Sequence, residues 1–187
     1  MSDRAVFLDR DGTIIEDKDY LSRPEEVVVL TGAGRALRSL SEAGFKLFIV
    51  SNQSGVGRGY FTLEDVDRVN ARLAEELQRE GVSLAKVYIA PEAPGQPSRG
   101  RKPSPQFLWD ARDEFLVDMA QSYVIGDKLS DLQCGWNAGV KKCLLVRTGY
   151  GEKVAAQERD RIAAAVIVDD LAAAAAWVIK TESEPDP

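Results

Sequence analysis

Apolar residues recur along the chain in short unbroken runs rich in β-branched side chains. They are Ala5–Leu8, Leu47–Val50 with Lys46 leading in, Val87–Ile89, Tyr123–Ile125, Leu144–Val146 and Val166–Val168. Runs this short without polar alternation predict strands covered on both faces. Between them the apolar spacing widens to that of a helix. Val66, Val69, Leu73 and Leu77 follow a Thr62–Asp65 capping-box pattern, and Leu108, Ala111 and Phe115 follow Ser104-Pro105, read as an N-cap with proline at the first helical position. Gly44 and Gly139 stand where helices should stop, and Asp169 or Asp170 starts an alanine-rich last helix through Trp177.

Strands alternating with helices predict an α/β domain: a doubly wound, mostly parallel Rossmann-like sheet of six strands with helices on both faces and no large cap domain. No linker or repeat divides the chain, so a single domain is expected over residues 1–180, with Thr181–Pro187 a frayed acidic tail. The stretch Pro91–Pro103 is too short for a second domain and is expected to be a connecting loop.

In such a fold, ligands bind outside the carboxyl ends of the strands, and three predicted strand ends here run into polar residues. The first is Asp9-Arg10-Asp11-Gly12-Thr13, where two carboxylates two residues apart leave the strand on the same side. If they sit about 4 Å apart, their repulsion is about 4 kcal/mol at an effective dielectric near 20, which calls for a cation or a shared proton. A Mg²⁺ ion would relieve Asp9 and leave Asp11 as an acid. By itself Asp-Gly-Thr is better read as a turn, and the convergence of strand ends is what favours chemistry.

Ser51-Asn52-Gln53 follows the second run and offers a hydroxyl and an amide to phosphate oxygens. The glycines at 55, 57 and 59 fit neither the Walker pattern nor the dinucleotide fingerprint. Gly126-Asp127-Lys128 ends the fourth run. A third carboxylate at Asp127 favours metal ligation, while helix capping alone accounts for Asp131. Lys102, beside Arg101, can point an ammonium at a phosphate, although surface basic pairs are common.

Composition narrows the chemistry further. The 187 residues include no histidine, which removes every catalytic triad, imidazole relay and His-ligated metal. The two cysteines, Cys134 and Cys143, lack CxxC spacing and are expected as free thiols. A net charge of −6 argues against a nucleic-acid-binding protein. No apolar run is long enough to span a bilayer and the chain opens without a signal-peptide core, so a cytoplasmic protein without membrane association is expected.

Taken in order, Asp9-Arg10-Asp11-Gly12-Thr13, Ser51-Asn52-Gln53, Lys102 and Gly126-Asp127 through Asp131 resemble the four motifs of the haloacid dehalogenase superfamily of phosphotransferases, over nearly the whole chain. With Ser54-Gly55 and Arg101-Lys102-Pro103 included, the resemblance narrows to its heptose-bisphosphate and histidinol-phosphate phosphatases. It implies Asp9 as a nucleophile forming an aspartyl-phosphate, Asp11 as general acid and then base, and Lys102 as the cation steadying the phosphoryl group. It further implies Mg²⁺ held by Asp9, the Asp11 carbonyl and Asp127, with Thr13 and Asp131 in support. Asp17, Lys18, Asp19, Tyr20, Ser51, Asn52, Gln53, Ser54, Arg101 and Lys128 match substrate-contacting positions.

That family usually carries a Cys/His zinc loop before Arg-Lys-Pro. Residues 91–100 contain neither residue, so no zinc is expected. The resulting expectation is a monomeric, Mg²⁺-dependent phosphatase of a small sugar phosphate, with heptose 1,7-bisphosphate hydrolysed at carbon seven as first choice. Histidinol phosphate or another small phosphomonoester is the alternative substrate. A catalytically silent binding protein or scaffold is the alternative of another class.

Overall fold

The computed structural model describes residues 3–184. Six parallel strands form one sheet: β1 (Arg4–Leu8), β2 (Phe45–Asn52), β3 (Lys86–Ala90), β4 (Tyr123–Gly126), β5 (Lys142–Val146) and β6 (Val166–Val168). Their spatial order is β3-β2-β1-β4-β5-β6, so the winding direction reverses between β1 and β4. The register sets Leu8 beside Ile49 on one side and Ile125 on the other, which brings the polar residues following all three strands to one edge.

Among the described residues six α-helices fill the crossovers, α1 (Ala33–Glu42), α2 (Ser54–Gly57), α3 (Leu63–Arg79), α4 (Gln106–Phe115), α5 (Leu129–Ala138) and α6 (Gly151–Gln157), and a seventh, α7 (Leu171–Ser183), follows β6. Strand alternation divides the core in two. Val6, Leu8, Leu47, Ile49 and Ile125 pack against Leu37 and Leu40 of α1, Val69, Leu73 and Leu77 of α3, and Leu171 and Val178 of α7. Ala5, Phe7, Phe48, Val50 and Val124 turn to the other face against Leu108 and Ala111 of α4, Leu132 of α5 and Ala155 of α6. Each large apolar side chain so buried contributes about 1.5–3 kcal/mol. No large cap interrupts this plan among the described residues. The β1–α1 segment instead folds back on itself through bridges between Asp11 and Ile15 and between Ile15 and Val29.

Several predicted ends are met atom by atom. Thr62 Oγ1 accepts from Asp65 N, and the Asp65 carboxylate accepts from Thr62 N, at the start of α3. Asp170, rather than Asp169, accepts from Ala173 N at the start of α7. Gly44 and Gly139 take positive φ beyond α1 and α5.

Two ends differ from expectation. Pro105 occupies the N-cap of α4, and Ser104, one residue earlier, accepts from Gln106 N. The last helix runs past Trp177 to Ser183, so the tail does not begin at Thr181. Glu182 explains the extension: its carboxylate binds Arg4 of β1, the Tyr123 hydroxyl of β4 and Lys141, long-range partners invisible to local pattern. The tail's last three residues, 185–187, lie outside the described residues.

Candidate active site

At the reversal between β1 and β4, Asp9 leaves one strand and Asp127 the other, the position where doubly wound sheets open a crevice. Lys102 enters from the β3–α4 loop. Its Nζ donates to Asp9 Oδ1 at 2.7 Å and to the Val50 carbonyl at 2.6 Å, and lies 2.6 Å from Asp131 Oδ1. Asn52, at the end of β2, fixes the lysine's backbone: its Oδ1 accepts from Lys102 N at 3.0 Å and its Nδ2 donates to Lys102 O at 3.1 Å. Asp131 is in turn held by Lys128 N, which donates to its Oδ2 at 2.9 Å in the first turn of α5. Asp9, Lys102, Asp127 and Asp131 are all buried.

Carboxylate oxygens of Asp9, Asp127 and Asp131 lie within 4.8 Å of one another. At that spacing each pair repels by about 3 kcal/mol at an effective dielectric near 20. Burial opposes charge on Asp9, but Lys102 and then Lys128 outweigh it and hold the carboxyl below the usual range. For Asp127 burial dominates and Asp9 adds to it, pushing the carboxyl up to about 8. Burial likewise raises Asp131 despite Lys102. Lys102 stays firmly protonated in spite of its burial because Asp131 and Asp9 surround it.

This cluster fits a divalent cation. Three carboxylates face two ammoniums, Lys102 and Lys128, whose Nζ lies 3.8 Å from Asp127 Oδ2, so ionised carboxylates outnumber the cations, and Asp127 Oδ1 is buried with no hydrogen-bond partner. Its other oxygen accepts from Tyr150 N at 2.8 Å. Two glycines with positive φ crowd the same carboxylate: a Cβ on Gly12 would come 2.4 Å from Asp127 Oδ2, and one on Gly149 2.3 Å. Backbone can approach Asp127 this closely only where no side chain intervenes.

Two adjoining cavities open from the cluster. The inner one, about 210 Å³, is lined by Asp9, Asp11, Arg101, Lys102, Ser130 and Asp131, among others. The outer one, about 200 Å³, is lined by Asp17, Asp19, Tyr20, Gln53, Gly55 and Tyr150, among others. Asp11, Asn52, Ser54 and Lys128 border both. Lys128 Nζ donates to Asp17 Oδ2 at 3.2 Å and lies 4.8 Å from the centre of the Tyr150 ring. Burial works against the Lys128 charge, but Asp9, Asp127 and Asp17 keep its pKa raised.

Comparison with known proteins gives a consistent result. A HAD-hydrolase-like family model matches residues 100–174. D-glycero-D-manno-heptose-1,7-bisphosphate 7-phosphatase of Chlorobaculum tepidum is 40% identical over 183 residues, covering 91% of each chain. The chain belongs to this phosphatase family of HAD-like hydrolases. The D-glycero-beta-D-manno-heptose-1,7-bisphosphate 7-phosphatase of Escherichia coli K12 is 40% identical over 152 residues, 78% of this chain and 80% of that protein. A crystal structure of D,D-heptose 1,7-bisphosphate phosphatase from B. bronchiseptica, complexed with magnesium and phosphate, superposes with a TM-score of 0.86 at 30% identity, covering 95% of this chain and 99% of that one.

Against the positions expected from the family motifs, the fold brings most residues to the two cavities and leaves four off them, Asp127 in the buried carboxylate cluster and three others. Lys18 turns away, its Nζ donating to the Glu26 carbonyl at 2.8 Å. Ser51 is buried below the cavities, where its Oγ accepts from Gln53 Nε2 at 2.7 Å. Thr13 is buried as well, with no hydrogen-bond partner for its hydroxyl. Asn52 borders the cavities while its amide is committed to Lys102.

Asp9 and Asp11 border the same inner cavity but take different partners. Asp9 faces Asp127 and Asp131, whereas the Asp11 carboxylate is paired with Arg10 and accepts from Gln53 Nε2 at 2.9 Å. Sequence reasoning passed over Arg10, Ser130, Gly149 and Tyr150. Thr148-Gly149-Tyr150 follows β5 closely, so the strand-end rule that singled out Asp127 would have found it.

Proposed function

We propose that the protein is a Mg²⁺-dependent phosphatase that removes the phosphate at carbon seven of D-glycero-D-manno-heptose 1,7-bisphosphate, a step toward ADP- or GDP-heptose for lipopolysaccharide or another surface glycan. The observation that carries this reading is a buried carboxylate, Asp9, fixed by a lysine in a cavity that adjoins a second one lined mainly by polar side chains.

Asp9 attacks the phosphorus atom, an Asp–O–P bond forms as the bond to the sugar oxygen breaks, and Asp11, which enters this step carrying the proton it gained in the previous turnover, gives it to that oxygen. Water then attacks the same phosphorus, Asp11 takes the water's proton, and the Asp9 carboxylate is released with inorganic phosphate. Lys102 neutralises charge on Asp9 and on the phosphoryl oxygens throughout. Asp9, Asp127 and the Asp11 carbonyl would hold Mg²⁺, with Asp131 in support. When bound, the ion supplies positive charge against the phosphoryl group and offsets the carboxylate cluster.

Asp17, Asp19 and Tyr20 offer hydrogen-bonding groups to sugar hydroxyls, and Arg101 and Lys128 offer cations to a second phosphate. The rival amine of histidinol phosphate finds less here, because Asp17 is already paired with Lys128 and Asp19 accepts from the Tyr150 hydroxyl at 3.4 Å. Zinc has no part in this proposal. In place of thiolates the Pro91–Pro103 loop has Ser98 donating to Glu92 Oε2 at 2.6 Å and Arg101 donating to the Glu92 carbonyl at 2.8 Å. We further propose a cytoplasmic monomer acting as one domain on a small molecule; among the described residues no helix is long and apolar enough to cross a membrane.

The test is kcat/KM for both heptose bisphosphate anomers and for histidinol phosphate, with Mg²⁺ and with chelator. The reading expects a preference for a heptose bisphosphate of tenfold or more, since about 1.4 kcal/mol of differential binding suffices for that ratio. Preference for histidinol phosphate would overturn the substrate, and turnover in chelator would overturn the mechanism.

A further inference from the structure

Arg10 is the one charged side chain at this site that the chemistry above leaves unused, and it is the largest fully buried side chain described. A guanidinium removed from water needs an acceptor for each exposed edge of its donor fork. Its Nε and NH2 donate to Asp11 Oδ2 and Oδ1 at 3.0 and 3.2 Å, a two-point contact that fixes the plane of the carboxylate as well as its place. NH1 points the other way and donates to Asn70 Oδ1 at 2.8 Å. Asn70 lies in the middle of α3, one residue after buried Val69, on a helix seated on the sheet through Val66, Val69, Leu73 and Leu77.

A path of three hydrogen-bonded groups therefore runs from a helix outside the site to the Asp11 carboxylate where the two cavities meet. Without Asn70 the guanidinium would have one anchor instead of two and could rotate about Asp11. Gln53 Nε2 would then be the remaining neutral donor to that carboxylate.

We propose that Asn70 and Arg10 are positioning residues for the acid–base step: Asn70 holds Arg10, and Arg10 holds Asp11 where the departing sugar oxygen collects its proton. This rests on the reading of Asp11 as general acid. The proton still moves between Asp11 and the leaving oxygen, and Arg10 remains charged and takes no part in the transfer. A general acid matters most when the leaving group is a poor one, since an alkoxide must be protonated as it departs whereas a nitrophenolate leaves without help.

The experiment measures single-turnover release of alcohol, with enzyme in excess and Mg²⁺ present, for p-nitrophenyl phosphate and for an alkyl sugar phosphate. Release of the alcohol reports formation of the phosphoenzyme and excludes its later hydrolysis. Asn70→Ala is expected to slow the alkyl ester about tenfold or more while changing the aryl ester by less than about twofold. Asn70→Asp, which restores an acceptor at the same reach, should recover most of the alkyl rate. Should Asn70→Ala not fold, Asn70→Ser, too short to reach Arg10, is read in its place.

Asp11→Asn serves as the reference. If it shows the selective alkyl loss and the Asn70 variants do not, the positioning role is wrong while the acid–base reading stands. If Asp11→Asn slows both esters equally, that reading fails first and the inference falls with it. Equal losses for both esters in a folded Asn70→Ala protein would mark Asn70 as structural only.

Discussion

Metal-free protein should lose stability as the pH rises through neutrality, and the cause is Asp127. Its carboxyl is pushed up to about 8 by burial and by Asp9, against an ordinary value of 3.8. Between those values the folded state holds a proton that the unfolded state does not, so unfolding releases a proton. Stability from this group is full below the ordinary value and falls as pH climbs to about 8. From pH 5.5 to 8 the loss approaches 3 kcal/mol at 1.36 kcal/mol for each pH unit, or roughly 6–12 °C in Tm for a domain of this size.

No histidine shares this window and burial pushes both cysteines up to about 12, so the groups that titrate through it are the buried carboxylates; Asp131, which burial also raises, adds a loss of the same sign to that of Asp127. Asp9 does not blur it. Its lowered pKa contributes stability present above the ordinary carboxylate range and lost only in stronger acid. Thermal denaturation followed by circular dichroism in chelator at pH 5.5, 6.5, 7.5 and 8 measures the slope directly. Asp127→Asn should flatten that slope, and Mg²⁺ should raise Tm more at pH 8 than at 5.5. A metal-free Tm that rises with pH, or a slope unchanged in Asp127→Asn, would refute the argument.

Other perturbations test other parts of the site. Lys102→Met removes the cation shared by Asp9 and Asp131 and should cost about 3–5 kcal/mol in denaturant melts of the metal-free protein, because the carboxylates stay buried and unpaired. Gly149→Ala places a Cβ 2.3 Å from Asp127 Oδ2 at a φ of +57°. It should lower Mg²⁺ affinity, read by calorimetric titration, on top of about 1–2 kcal/mol of backbone strain. Asp9→Asn should abolish the acid-stable label that rapid quenching traps from a ³²P-labelled substrate, and full turnover by this variant would exclude covalent catalysis. Zinc analysis after dialysis should find less than stoichiometric metal, and a chelator selective for zinc should leave Tm unchanged.

Much of this was legible before any coordinates. The six strands rest on unbroken β-branched runs, so period and length sufficed to find each of them, but the expectation of cover on both faces fails at the edge strand β6, where Ile167 is exposed because, among the described residues, no further strand or helix lies over it. The sites of Asp9 and Asp127 follow from the same logic, since a carboxylate directly after a buried strand must emerge at the carboxyl edge of the sheet. Local chemistry also determined the Thr62 cap of α3, which needs only partners three residues apart.

What the chain's own pattern could not determine was which side chain meets which across the fold. Asp11 looks like the natural electrostatic rival of Asp9, two residues away, yet in the folded protein its charge is taken up by Arg10 and Gln53 while Asp9 faces Asp127, over a hundred residues distant. Ser51 and Asn52 read as phosphate ligands because their groups suit phosphate. Rotamer and register turned one under Gln53 and the other onto the Lys102 backbone. Glu182 ties down a stretch that composition marks as tail. The physical reason is common to all of these: strand and helix are set by neighbours in sequence and by burial, but the partner of a polar group is whichever complementary atom the packed chain delivers within about 3 Å, and that distance exists only after the sheet has closed.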